Sequence, residues 1–150
     1  MACFHHLDGE RHLIVYCGFG HFTGTEMMSA EAETRKDPRR WPGMRILIDL
    51  REVAELDFSL EDMQRGIEMN SHLESSGWEL EKTAILIRGK DDEIGAGLYE
   101  ELAVPNVQLK MGTFRSLEPA LAWLGLAGDR EGIERLIKGL RERFTSSMRP

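Results

Sequence analysis

The 150-residue sequence has only two cysteines, Cys3 and Cys17, and no CxxC pair, which excludes a disulfide-dense scaffold, a zinc ribbon and a dithiol redox motif. Long apolar runs are missing too. The longest, Leu13 to Cys17, is far short of the roughly 20 residues that span a bilayer, so no membrane span is expected. No basic, apolar and small-residue leader opens the chain, which makes the cytoplasm the expected location. Positive charge is in deficit: 19 Lys and Arg stand against 26 Asp and Glu, a net charge of -7 that repels phosphate backbones and argues against nucleic acid as a partner. There is no phosphate-loop lysine motif, no internal repeat and no low-complexity tract, and no cofactor is implied.

What is present suits one folded domain. The hydrophobic fraction of 41% and charged fraction of 30% are ordinary for a globular protein of this size, which can bury a sufficient core without staples. A single domain over residues 1–150 is expected, with 129–150 as an additional C-terminal amphipathic helix.

Residues 2–7 and 11–17 are β-favourable and flank Asp8-Gly9, a pair suited to a tight hairpin turn. The second strand is apolar on both faces, as in a strand covered from both sides, and Gly18-Phe19-Gly20 is read as its end. Thr25 then opens a helix to about Lys36, stopped by Pro38 and the Trp41-Pro42-Gly43 turn. Arg45 to Leu50 reads as a short buried strand. After a loop, Ser59 caps a helix over about 60–75, with Asp62 completing a variant capping box and Gly77 closing it.

Thr83 to Ile87 is the next strand, followed by a helix bearing Ile94, Leu98 and Leu102. Asn106 to Met111 alternates apolar and polar, the pattern of an edge strand. Ser116 caps a helix ending at Gly125. The last helix starts at Asp129 and places Ile133, Leu136, Ile137, Leu140 and Phe144 on one face, to be buried on its own domain or in a dimer. Repeated β-α-β units require right-handed crossovers between largely parallel strands, so the fold class is α/β: a four- to five-stranded, mostly parallel sheet with an N-terminal hairpin and flanking helices. Trp41, Trp78 and Trp123 are expected to be core or packing residues.

One stretch is more particular: Arg45-Ile46-Leu47-Ile48-Asp49-Leu50, a short apolar-punctuated loop, then Asp57-Phe58-Ser59 at a helix start. Together with the segment Thr113 to Gly125, whose helix carries Ala122-Trp123-Leu124, it resembles the STAS domain of bacterial anti-sigma-factor antagonists and the wider SpoIIAA-like group. The resemblance covers roughly residues 10–125. It implies a SpoIIAA-like fold, a protein partner, and a phosphorylatable serine directly after the aspartate. Here Phe58 occupies that position, and Ser59 falls on the second serine of the pattern, where a helix cap is sufficient explanation.

The remaining candidates are weighed by geometry. Gly18 to Gly24 lies between a strand and a helix, but its glycine spacing departs from the dinucleotide fingerprint, and a tight turn explains it. His5 is expected to face His12 across the hairpin, near His6. Two imidazoles joined only by Cys3 or Glu10 fall short of a closed site, so no metal is expected. If the strands are parallel, their carboxyl ends gather His21, Asp49, Arg51, Asp57, Ser59, Arg88, Lys90 and Arg115, the candidate ligand- or partner-binding residues. No nucleophile, base and orienter stand out among them, so an enzyme is not expected. The expected function is a non-enzymatic regulatory or protein-interaction module, self-association through the C-terminal helix included. The competing reading is a carrier of a small apolar ligand in a pocket between helices and sheet, lined by the methionine-bearing helix at 60–75.

Overall fold

The computed structural model describes residues 3–57, 59, 61–62, 65–66, 68–69, 82–88 and 111–148. Five strands, β1 (Cys3–Asp8), β2 (Leu13–Thr23), β3 (Arg45–Asp57), β4 (Thr83–Leu86) and β5 (Met111–Phe114), form one sheet in the order β1-β2-β3-β4-β5. β1 runs antiparallel to β2, and every later pairing is parallel. The helices with described bounds are α1 (Gly24–Arg35), α2 (Leu117–Leu124) and α3 (Arg130–Ser147), with a 3₁₀ turn at Ala127–Asp129 between the last two; residues 61–62, 65–66 and 68–69 are helical as well. The mixed α/β class and the mostly parallel sheet are as the sequence predicts. Gly77, Trp78, the helix bearing Ile94 and residues 106–110 lie outside the described residues.

β2 is buried on both faces because its alternation feeds two cores. Leu13, Val15, Cys17 and Phe19 join Leu47, Ala84 and Leu86 on one face, where Leu121 and Leu124 of α2 and Ile133, Ile137 and Leu140 of α3 cover them. Ile14, Tyr16 and Phe22 point to the other face with Ile46, Leu50 and Val53, against Ala30 and Met27 of α1. The apolar face of α3 is therefore packed on its own sheet. Phe144 stacks on Phe19 with ring centroids 4.5 Å apart and meets Phe4 edge-on at 6.3 Å. Arg45 donates to the Leu124 carbonyl at 3.0 Å, and Lys82 donates to that of Trp123 while lying 4.4 Å from its ring centroid. Both cations meet the carboxyl end of α2, where the helix dipole favours positive charge.

A polar cluster fastens α1 to the sheet. The Tyr16 hydroxyl and Thr34 Oγ1 are 2.7 Å apart, Arg40 Nη1 donates to Thr34 at 2.5 Å, and Arg40 Nη2 and Arg35 Nη2 lie 3.4 and 3.1 Å from Glu31 Oε2. The Arg40 side chain is fully buried, a position that nothing in its surroundings Pro38-Arg39-Arg40-Trp41 marks. Burial, reinforced by Glu31, pushes the Tyr16 phenol well above its ordinary range.

Several expectations are corrected. The hairpin turn is the four-residue loop 9–12, because Asp8 pairs with Leu13 and the Asp8 carboxylate accepts from the amides of Glu10 and Arg11 and from Arg11 Nη1. This shift puts His5 opposite Tyr16, and His12, at φ 52°, lies edge-on to Trp41 instead. Trp41 is 40% exposed, outside the core, whereas Trp123 packs half-buried against the core as expected. β2 does not end at Gly18. A side chain at Gly18 would crowd Phe22, Val53 and Leu50 at 3.0–3.2 Å, and Gly20 takes φ 59° beside a bulge, so the glycines keep the strand running where a larger residue would stop it. Consequently α1 starts earlier, capped by Thr23, whose Oγ1 accepts from the Glu26 amide at 3.1 Å. β3 likewise continues through the expected loop to Asp57.

Truncation before Arg130 removes Ile133, Ile137 and Leu140 from the layer over one face of β2, and the product is expected to aggregate or to melt without cooperativity by circular dichroism. A soluble, cooperatively folding product would show that α3 is dispensable. Cys3 and Cys17 lie in opposite cores, and burial pushes both thiols up, Cys3 to about 12. Both should therefore resist a thiolate-specific disulfide reagent at about pH 8 in the native protein and react promptly once denatured. Fast native labelling would contradict that burial.

Candidate functional site

β3 is the longest strand, and β4 pairs with it only from Ile46 to Asp49. Beyond that point, among the described residues, β3 continues against β2 alone, from Phe19–Glu52 to Thr23–Asp57 with a register shift between Gly20 and His21. The charged residues that made this segment read as a loop occupy its open positions, while Val53 stays buried and Leu56 half-buried. Strand pairing overrides the low β-propensity of aspartate and glutamate here.

This geometry divides the predicted cluster. Asp49 is 3% exposed and accepts from Arg51 three times, from its amide at 3.0 Å, from Nε at 3.0 Å and from Nη2 at 2.9 Å. The bidentate bond raises the Arg51 pKa further and fixes its guanidinium plane. His21 and Asp57 lie instead near the far end of the β2–β3 ribbon. There His21 Nδ1 is 3.1 Å from Glu55 Oε2 and its Nε2 is 3.7 Å from Asp57 Oδ2, with all three side chains more than half exposed. Ser59 Oγ accepts from the Asp62 amide at 3.0 Å, and Asp62 Oδ2 accepts from the Ser59 amide at 3.1 Å. That is the reciprocal capping box the sequence predicts. Lys90 lies outside the described residues.

Arg51 does meet Arg88 and Arg115. With Glu52, Ile87 and Arg141 they line a cleft of about 290 Å³ beside the ends of β4 and β5. Arg88 Nη2 also donates at 3.1 Å to the Val53 carbonyl, in the part of β3 beyond its pairing with β4. An adjoining cleft of about 440 Å³ shares Arg51 and Arg141 and adds Ser116 together with Arg130, Glu134 and Lys138 of α3. Ser116 stands at the N-cap of α2 as predicted, but its side chain makes no capping bond. The α3 contributors were not anticipated. Their signal was the polar stripe at 130, 134, 138 and 141, which keeps helical spacing beside the apolar one.

Among the described residues, no three His, Cys, Asp or Glu side chains are grouped to hold a metal ion, and no helix is long and apolar enough to cross a membrane.

A sequential sheet opened by an antiparallel hairpin, crossover helix on one face and C-terminal helices on the other, defines a SpoIIAA-like α/β domain. The crystal structure of an uncharacterized protein from the DUF3478 family with a SpoIIAA-like fold, from Shewanella loihica PV-4, superimposes with a TM-score of 0.52 at 19% identity, covering 82% of this chain and 94% of that one. Neither a family model nor a curated sequence matches the chain. The likeness shows the fold and names no function.

Two substitutions separate structural from exposed groups. Ser59→Ala should cost about 1 kcal/mol through loss of the cap, and Arg51→Ala on the order of 3 kcal/mol because it strands a buried carboxylate. Both are measured by urea denaturation. Equal, negligible effects would mean that neither residue holds the position described.

Proposed function

We propose that the protein is a non-enzymatic regulatory or protein-interaction module that engages its partner through the extended β2–β3 ribbon. The observation that carries this reading is the stretch Glu52–Asp57, which among the described residues has a strand neighbour on one side only and displays His21, Glu55 and Asp57 to solvent. Apart from the Val53 carbonyl, which accepts from Arg88, such a strand edge offers backbone hydrogen bonds to an incoming segment, and exposed charges give the contact its register and selectivity. Groups that might have served chemistry are engaged otherwise: Asp49 holds Arg51, and Ser59 caps a helix. Self-association through the apolar face of α3 would require that face to leave the sheet, so any homodimer uses another surface.

The competing carrier reading rests on the helix at 60–75, of which only 61–62, 65–66 and 68–69 are described. The two clefts that are described are lined mainly by charged side chains, which suits an apolar cargo poorly.

Native mass spectrometry of the protein, isolated gently from the cells that make it, tests the proposal when wild type is compared with Glu55→Lys/Asp57→Lys. A stoichiometric protein complex in the wild type, lost in the variant at unchanged melting temperature, is the expected result. A copurified apolar small molecule, or a complex indifferent to the substitutions, would overturn it.

A further inference from the structure

We propose that the cleft walled by Arg51 and Arg141 binds the phosphate group of a small phosphorylated molecule, a site that adjoins the partner-engaging ribbon at Glu52. Across the two adjoining clefts, six cationic side chains, Arg51, Arg88, Arg115, Arg130, Lys138 and Arg141, outnumber four carboxylates, the lining Glu52, Glu118 and Glu134 and the Asp49 that holds Arg51. That local excess stands in a chain of net charge -7. Charge of one sign concentrated in a concave surface focuses the field where a counter-ion would sit.

The chemistry favours phosphate. Guanidinium groups present forked donors that match phosphate oxygens, and a phosphate dianion has enough acceptors to engage several at once. Arg51 is already oriented, because the buried Asp49 binds its Nε and Nη2 edge, so little side-chain freedom is lost when a ligand docks. Arg141 is 3.4 Å from Glu52, but both side chains are nearly half exposed, a pair of the kind worth little in water and readily exchanged for a dianion. Ser116, lining the larger cleft without a capping bond, adds a hydroxyl beside the first turn of α2. The location, outside the carboxyl ends of β4 and β5, is where open α/β sheets place their ligands.

The same residues limit the size of the ligand. Glu52 pairs with Arg141, and Glu118 and Glu134 pair with Arg130 along the cleft walls, and the acidic remainder of the chain repels an extended polyanion or an anionic membrane. A compact phosphorylated molecule enters between those carboxylates, and clefts of about 290 and 440 Å³ are on its scale.

Inorganic pyrophosphate is the probe, titrated into the ¹⁵N-labelled full chain at constant ionic strength, with sodium chloride as the reference. Saturable shifts of the Arg51, Ser116, Leu117 and Arg141 amides are expected. Affinity should fall roughly tenfold or more in Arg141→Ser/Lys138→Ser, as removal of charge-assisted bonds implies, and stay unchanged in Arg39→Ser, whose arginine pairs with Asp37 elsewhere. Both substituted side chains of the double variant are exposed, and its dispersed spectrum would verify the fold. The proposal fails if the shifts do not saturate, if chloride reproduces them, if they map to other amides, or if the double variant binds as well as wild type.

Discussion

Every other element answers to the burial of β2 on both faces. A strand with Leu13, Val15 and Cys17 on one side and Ile14 and Tyr16 on the other cannot sit at the surface, since each such side chain contributes roughly 1.5–3 kcal/mol only when removed from water. It must have neighbours along both edges and layers over both faces. β1 and β3 supply the edges. The layers follow from the strand order. When consecutive parallel strands are added always on the same side, right-handed crossovers all fall on one face. α1 is the visible instance, and Asp62, close against Gly24 at its start, belongs to the same side. Among the described residues no crossover helix covers the opposite face, and the chain past β5 supplies its layer. α2 and α3 are that continuation, which is why an apolar stripe at Ile133, Ile137 and Leu140 ends in the core.

The two layers are built differently. Under α2 and α3 the contact is hydrocarbon and aromatic, and its geometry is set by shape. Under α1 it includes the Tyr16, Thr34, Arg40 and Glu31 cluster. Such a buried network contributes little net stability over an apolar replacement, but it tolerates few alternative arrangements, because each lost partner strands a desolvated polar group. It fixes how α1 lies on the sheet, and through the Thr23 cap it fixes where β2 stops.

Legibility in the sequence tracked how local the physics was. The capping box at Ser59, Gly125 closing α2 and the stripe of α3 depend on neighbours within a turn or two and could be read directly. The ends of β2 and β3 could not. Gly18 and Gly20 look like terminators until the crowding by Phe22, Leu50 and Val53 is known, and Glu52, Glu55 and Asp57 look like a loop until β2 is placed beside them. Arg40 is charged and flanked by turn residues, so only the tertiary partners Thr34 and Glu31 reveal its burial. Of the predicted site, Arg51, Arg88 and Arg115 converge as expected because they follow aligned strand ends. His21 and Asp57 depart because their strands run on. Arg141 and Lys138 enter from a helix that is far away in sequence.

The lengthened β3 also bears on how the domain can be regulated. The STAS-like pattern places a phosphorylatable serine directly after the aspartate, and Phe58 stands there instead. The next hydroxyl, Ser59, is the cap whose oxygen accepts the Asp62 amide. A phosphate at that oxygen would gain from the helix dipole, but it would also face the Asp62 carboxylate that bonds back to the Ser59 amide, with Asp57 two residues earlier and Glu61 two residues later. Repulsion between a phosphate of nearly two negative charges and the box carboxylate would undo the reciprocal bonds that start the helix. Modification at Ser59 would therefore act against the fold locally, whereas the ligand proposed for the Arg51–Arg141 cleft would stabilise the domain by binding the folded state alone. Where this chain departs from the serine pattern, the anion site proposed at Arg51 and Arg141 and a phosphate at Ser59 would thus act on the domain in different ways.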